Sequence, residues 1–350
     1  MIIHGIRELR CRAGRDCTAA HIRKDASPFD LTRFMKIMHS PISRYSTVLL
    51  LTILLFLVSF SACQSGPKKV STFGQAKWQQ EIQADREAKD REFKTSLTSP
   101  MAAVDRYTLH SSQGGWITVS KSGVTISTKP VHPCPLSFVY RDRWYWEGRA
   151  EFARPAEATA HPVPGPVADG VLFQVGRFTL SPTIAGTQMV ILVFDPHRSM
   201  IQSFQHLLYY PPDRSYAVPA RLERLNPVIP VSMLTSRNLE KQFYRYADLH
   251  FLLGNSPYTL QTFKMSLDGP ESKILFIPFK DLTSGKETYG AGRFLEIPEP
   301  SSEELDLDFN RAFNPLCNYS PSYNCPIPPA ENRLPIAIRA GEKTYPHRTL

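Results

Sequence analysis

Residues 274–298 read ILFIPFKDLTSGKETYGAGRFLEIP, and this stretch decides the fold class. Its apolar runs are short and bounded by Gly, Pro and Asp, the pattern of buried strands rather than of helices. Between them, Ser284-Gly285-Lys286-Glu287-Thr288 resembles a phosphate loop only superficially. Lys280 stands where that loop needs its first Gly, and Glu287 where it needs a hydroxyl for magnesium. The reading that fits is a hairpin turn between two strands. Residues 305–342 follow as LDLDFNRAFNPLCNYSPSYNCPIPPAENRLPIAIRAGE, a dense mixture of Asn, Pro, Cys, Arg and carboxylates. Any working site is expected in this C-terminal part.

Upstream, the strand signals continue. Trp116–Val119 and Val124–Ser127 flank a Lys-Ser-Gly turn, and Trp144–Phe152 alternates large apolar with polar residues at period two. Thr187–Asp195 is apolar through its middle, as a central strand is. Glu240–Leu253 and Tyr258–Leu267 form a long hairpin around Gly254-Asn255-Ser256, and Ser199–Tyr210 has room for a short helix. Ala153–Asp169 reads as a Pro-rich loop. Thirty prolines in 350 residues favour a β-rich architecture over a helical bundle. The expectation is a mainly β protein of two β units, sandwich- or barrel-like, preceded by one helix.

That helix is read over residues 74–96, which contain strong helix formers and no internal Pro or Gly. Trp78, Ile82, Lys89 and Phe93 place a narrow stripe on an otherwise charged rod. Such a rod is either a solvated face or a docking helix for a partner.

The N-terminal region gives an address. Val48–Val58 is an eleven-residue apolar run preceded by Lys36, His39 and Arg44 and followed by Ser59-Phe60-Ser61-Ala62-Cys63. A basic segment, a short apolar core and small residues before Cys describe a secretory signal of the bacterial lipoprotein type, with Cys63 as the lipidation candidate. The alternative is an uncleaved transmembrane helix over residues 45–62. Either way the chain is a membrane-anchored protein of the bacterial cell envelope, with its globular part outside the cytoplasm. A signal peptide starting at Met35 or Met38 has an ordinary length, so residues 1–34 read as a mis-called start or a disordered extension. The segmentation is then 1–34 extension, 35–62 signal or anchor, 63–100 tether and helix, 101–180 small β unit and 181–345 main β domain.

The charge of +9 is misleading. Residues 1–62 hold nine of the 41 Lys and Arg and four of the 32 Asp and Glu, so they supply +5 of it. The rest is a balanced surface without basic runs, and no nucleic-acid partner is expected. No histidine lies at a metal-binding spacing, and no metal or other cofactor is expected. Cys317 and Cys325 stand close together in a Pro- and Asn-rich loop, which in an exported protein reads as a disulfide.

Phe279–Gly285, Thr288-Tyr289-Gly290 and Gly292-Arg293-Phe294-Leu295 resemble one half of a known motif set. Leu307–Pro315, Cys317, Cys325–Pro329, Glu331-Asn332-Arg333-Leu334 and Ala340-Gly341-Glu342 resemble the other. Together they are similar to domain of unknown function family 1684, with Phe294 and Phe313 in place of Tyr. The resemblance implies that family's fold and no activity. It makes Asp281, Thr283, Tyr289, Arg293, Asn310, Asn314, Glu331 and Asn332 candidates for a ligand site. Their amides, hydroxyls and guanidinium suit a polar small molecule or envelope component. Two other readings stay open. One is an envelope hydrolase with Asp281 or Glu331 as base and Arg293 stabilising an oxyanion. The other is a rigid plug without a ligand.

Overall fold

The computed structural model describes residues 72–148, 153–155 and 163–346. The apolar run at 48–58, Cys63 and residues 1–34 lie outside these. Among the described residues no helix is long and apolar enough to cross a membrane.

The fold is mainly β, with one long helix, α1 (Thr72–Thr95), before the first strand. Three antiparallel sheets follow. The first is built from β1 (Ala103–Leu109), β10 (Gln188–Phe194), β9 (Phe178–Ala185), β8 (Phe173–Val175) and β6 (Ala153–Pro155), in that order. The second is β3 (Val124–Ser127), β2 (Gly115–Val119), β4 (Leu136–Tyr140), β5 (Trp144–Gly148) and β7 (Gly165–Pro166). These two sheets close over one core that includes Ile117, Phe138, Trp144, Phe173, Phe178 and Ile191. The apolar run of β10 is central, paired with β1 on one side and β9 on the other.

Three readings change here. The change of unit falls after β10 rather than at residue 180, because β10 completes the sheet that β1 begins. Within 153–169, β6 and β7 add short edge strands where a loop is expected, their prolines tolerated at a sheet edge. The helix read over 199–210 is a single turn, Ser199–Gln202.

The third sheet runs β15 (Arg293–Pro298), β14 (Ile274–Phe279), β13 (Ser256–Lys264), β12 (Glu240–Leu253), β11 (Ala217–Leu234) and β16 (Glu304–Asp308). β12 and β13 form the long hairpin, closed by Gly254 at a positive φ of 62° before Asn255. One face of this sheet buries Leu222, Leu249, Leu275, Ile277, Phe279 and Leu295. The other buries Phe243, Phe263, Phe276 and Phe294 under the 313–325 loops. Alternation within ILFIPF and RFLEIP sends successive side chains to opposite faces, so short apolar runs serve a sheet covered on both sides.

The sheet has a weak seam. β13 and β14 share a single register pair, Phe263 with Phe276. Pro278 has no N–H to continue the ladder. Asn332 bridges the gap instead. Its Oδ1 accepts from the Gln261 N–H at 2.7 Å, and its Nδ2 donates to the carbonyls of Gln261 and Pro278, each at 2.8 Å.

Candidate functional site

The predicted site residues divide by depth. Arg293, in β15, and Asp281, just after β14, form an ion pair at 2.7 Å with both side chains sealed from solvent. Arg293 also donates to the carbonyls of Ile338, Ala340 and Glu342. Asp281 accepts from the backbone N–H and hydroxyl of Thr283, at 2.6 and 2.5 Å. This cluster fastens segment 338–342 to the sheet, and both terminal nitrogens of Arg293 are engaged with Asp281 and main chain, which leaves only its Nε without a partner. Asn332 is spent on the sheet seam, and Glu331 is exposed on the surface. Tyr289 packs beside Cys317 and donates to its carbonyl at 3.4 Å.

Cys317 and Cys325 correct the disulfide expectation, because both are buried free thiols. They share an apolar cluster with Met233, Phe243 and Phe276. The Cys325 sulfur accepts the Cys317 N–H at 3.2 Å. The hydrogen bond from the Cys325 thiol pulls the Cys317 pKa down, and the same bond together with burial pushes Cys325 up. The pair is held by packing and hydrogen bonds, which a covalent link would replace.

Asn310 and Asn314 lead to a different place. Trp78, Ile82 and Phe93 of α1 are buried against the rest of this same chain, so the stripe on the charged rod has an intramolecular partner. The indole N–H of Trp78 donates to Asp308 Oδ2 at 2.8 Å, and the Arg311–Asp85 ion pair adds a second clasp. The clasped helix roofs two adjoining cavities. The larger, about 600 Å³, is lined by residues including Trp78, Arg214, Glu296 and Asp308. The smaller, about 240 Å³, is lined by Arg86, Lys89, Tyr209, Glu296, Asn310 and Glu342 among others. Glu296 and Arg311 border both.

The smaller cavity carries the chemistry. Glu342 is 1 % exposed and pairs with Lys89 through one oxygen. Its other oxygen accepts from the Asn314 N–H at 2.7 Å and the Tyr319 hydroxyl at 2.8 Å. Gly341, at a φ of 76°, lets the chain pass this close. A Cβ there would stand 2.5 Å from the Ala312 carbonyl oxygen. Asn310 is engaged with Asp213 and Asp308 and forms part of the wall.

Three other wall residues hold buried polar atoms with no partner among the described residues: Arg86 at Nε and Nη2, Tyr209 at its hydroxyl, and Glu296 at Oε1. Arg86 spends Nη1 on the Tyr210 carbonyl at 3.0 Å and lies over the Tyr209 ring, 4.4 Å from its centroid. Burial lowers the Arg86 pKa. Burial, first, and the nearby Glu342 carboxylate raise that of Tyr209. Burial pushes Glu296 up to about 7. A shifted carboxyl, an open guanidinium edge and a free hydroxyl around one cavity are the features of a ligand site.

The sequence reading placed Asn310 at this site and missed the rest. Two signals were present. Arg86 and Lys89 fall on the same helical stripe as Trp78, Ile82 and Phe93, where apolar residues belong. Glu296 interrupts the apolar strand RFLEIP.

Residues 202–343 match the family described as "Protein of unknown function (DUF1684)". An uncharacterised protein of Haloarcula marismortui, solved by solution NMR, is 35% identical over 42% of this chain and 80% of its own, with a TM-score of 0.36. No curated protein matches the chain. Tyr209, Glu296 and Glu342 fall inside the matched region, whereas Arg86 and Lys89 lie before it. Over residues 202–343 the chain is thus similar to the DUF1684 family of proteins of unknown function.

Proposed function

We propose that this chain is a small-molecule binding module of the cell envelope, tethered through lipidated Cys63 or the 45–62 segment. Its site is the cleft between α1 and the third sheet. One observation carries the reading: Arg86, Tyr209 and Glu296 leave buried polar atoms unpartnered around a single cavity. Such atoms cost on the order of 1–3 kcal/mol each when left without a hydrogen bond, so a site that keeps several is suited to a partner that supplies them. The direct test is the native mass of the full chain, purified gently from the membrane fraction. A co-purified molecule that is lost in Glu296→Gln supports the reading. An empty wild-type protein that also fails to bind a panel of polar metabolites overturns it.

A hydrolytic reading has one observation in its favour, the Glu296 carboxyl with a pKa of about 7, near that of a general base working at neutral pH. It places the base at Glu296 rather than at Asp281 or Glu331. Turnover of ester or amide substrates that Glu296→Gln abolishes would favour it over simple binding.

A further inference from the structure

Among the described residues, the acidic and basic side chains that line the smaller cavity pair off except for Arg86 and Glu296. Asp85 is bonded to Arg311, and Glu342 to Lys89. The acids whose charge acts on Arg86 are Glu342, Asp308 and Asp90. Asp308 is engaged by the Asn310 N–H and the Trp78 indole, and Asp90 by the Leu207 N–H at 2.8 Å. Among the described residues no carboxylate bonds Arg86 itself. Its two unpartnered nitrogens, Nε and Nη2, lie on one edge of the guanidinium. That edge takes a planar or tetrahedral oxyanion side-on through two parallel hydrogen bonds.

Resting on the binding reading above, we propose that the cavity takes a small oxyanion, a carboxylate or phosphate group, held by the Nε–Nη2 edge of Arg86. The body of the ligand lies toward Tyr209 and Glu296. A space of about 240 Å³ is that of roughly eight waters at ~30 Å³ each, so the occupant is a small metabolite rather than a polymer. Glu296 does not oppose the anion. Burial raises its pKa to about 7, so the protonated form, which donates a hydrogen bond, is well populated up to that pH, and an anion in the same cavity favours that form further.

The test is calorimetric titration of the full chain in detergent with succinate, inorganic phosphate and, as a neutral control, glucose. Succinate or phosphate binding, weakened at least tenfold in Arg86→Lys, is the expected result, because a lysine point charge cannot reproduce the paired donors. Whichever anion binds identifies the source of the oxyanion. A folded Arg86→Lys protein that binds anions as tightly as wild type overturns the proposal. Should that variant fail to fold, the wild-type Arg86 Nε–H resonance provides the readout. It shifts on saturation with the anion if the proposal holds, and an unmoved resonance overturns it. Glucose binding without anion binding removes the oxyanion inference and leaves the binding module standing. No binding by any of the three removes the oxyanion inference, and the binding module is then decided by the native mass of the full chain.

Discussion

Arg293 and Asp281 meet at 2.7 Å with no solvent exposure on either side chain, and Arg293 reaches on to three carbonyls of segment 338–342. The pair therefore acts as a strut between the sheet and the C-terminal segment that carries Glu342. Replacing one partner leaves an uncompensated buried charge. Arg293→Met is expected to cost about 3–5 kcal/mol in urea denaturation. Adding Asp281→Asn to that variant removes the stranded charge and should recover part of the loss. A single variant as stable as wild type would show that the strut holds nothing.

Glu296 gives the fold a pH dependence of determinate sign. Its carboxyl is raised from 4.5 to about 7, so between those values the folded chain keeps a proton that the unfolded chain releases. Its contribution to stability falls as pH rises through that window. Above it the cost is roughly 3 kcal/mol, from 1.36 kcal/mol per unit. Glu296→Gln should match wild type near pH 4 and exceed it near pH 8. Equal stabilities at both pH values would mean that the carboxyl is not held in its neutral form.

The clasp of α1 is open to the same kind of measurement. Ile82 is 1 % exposed and Phe93 is 2 % exposed, so Ile82→Ala and Phe93→Ala should each cost about 2–5 kcal/mol. Trp78→Phe keeps the packing and loses the hydrogen bond to Asp308, for about 1–2 kcal/mol. If α1 were a free solvated rod, all three variants would melt with the wild type.

Cys317 and Cys325 are free and buried. Under native conditions a thiol reagent should leave both unmodified, and in denaturant without reductant both should react. A peptide map that joins residue 317 to residue 325 before any oxidant is added would contradict this arrangement.

Strand positions were legible in the sequence because alternation and short apolar runs are local properties. The hairpin at Gly254-Asn255 and the central β10 are cases of this. The extent of the first β unit was not legible, since the pairing of β1 with β10 joins segments some 85 residues apart. At the site, Asn332 and Arg293 looked like ligand-binding groups because seam-bridging and strut-forming residues are polar too. Their partners, Gln261 with Pro278 for one and Asp281 for the other, are set only by the fold. Lys89 was visible on the helical stripe. Its meaning depended on Glu342, 253 residues away.

The match to residues 202–343 divides the cleft between two sources. The sheet, Tyr209, Glu296 and Glu342 come from the matched region, whereas Arg86 and Lys89 come from a helix outside it. The roof thus lies in a segment that the family match does not include. A relative that keeps the sheet but carries a different helix, or none, would present the same acid on a floor open to other ligands. Within such a family, selectivity would be written in the flanking segment, and the shared domain alone would not reveal it.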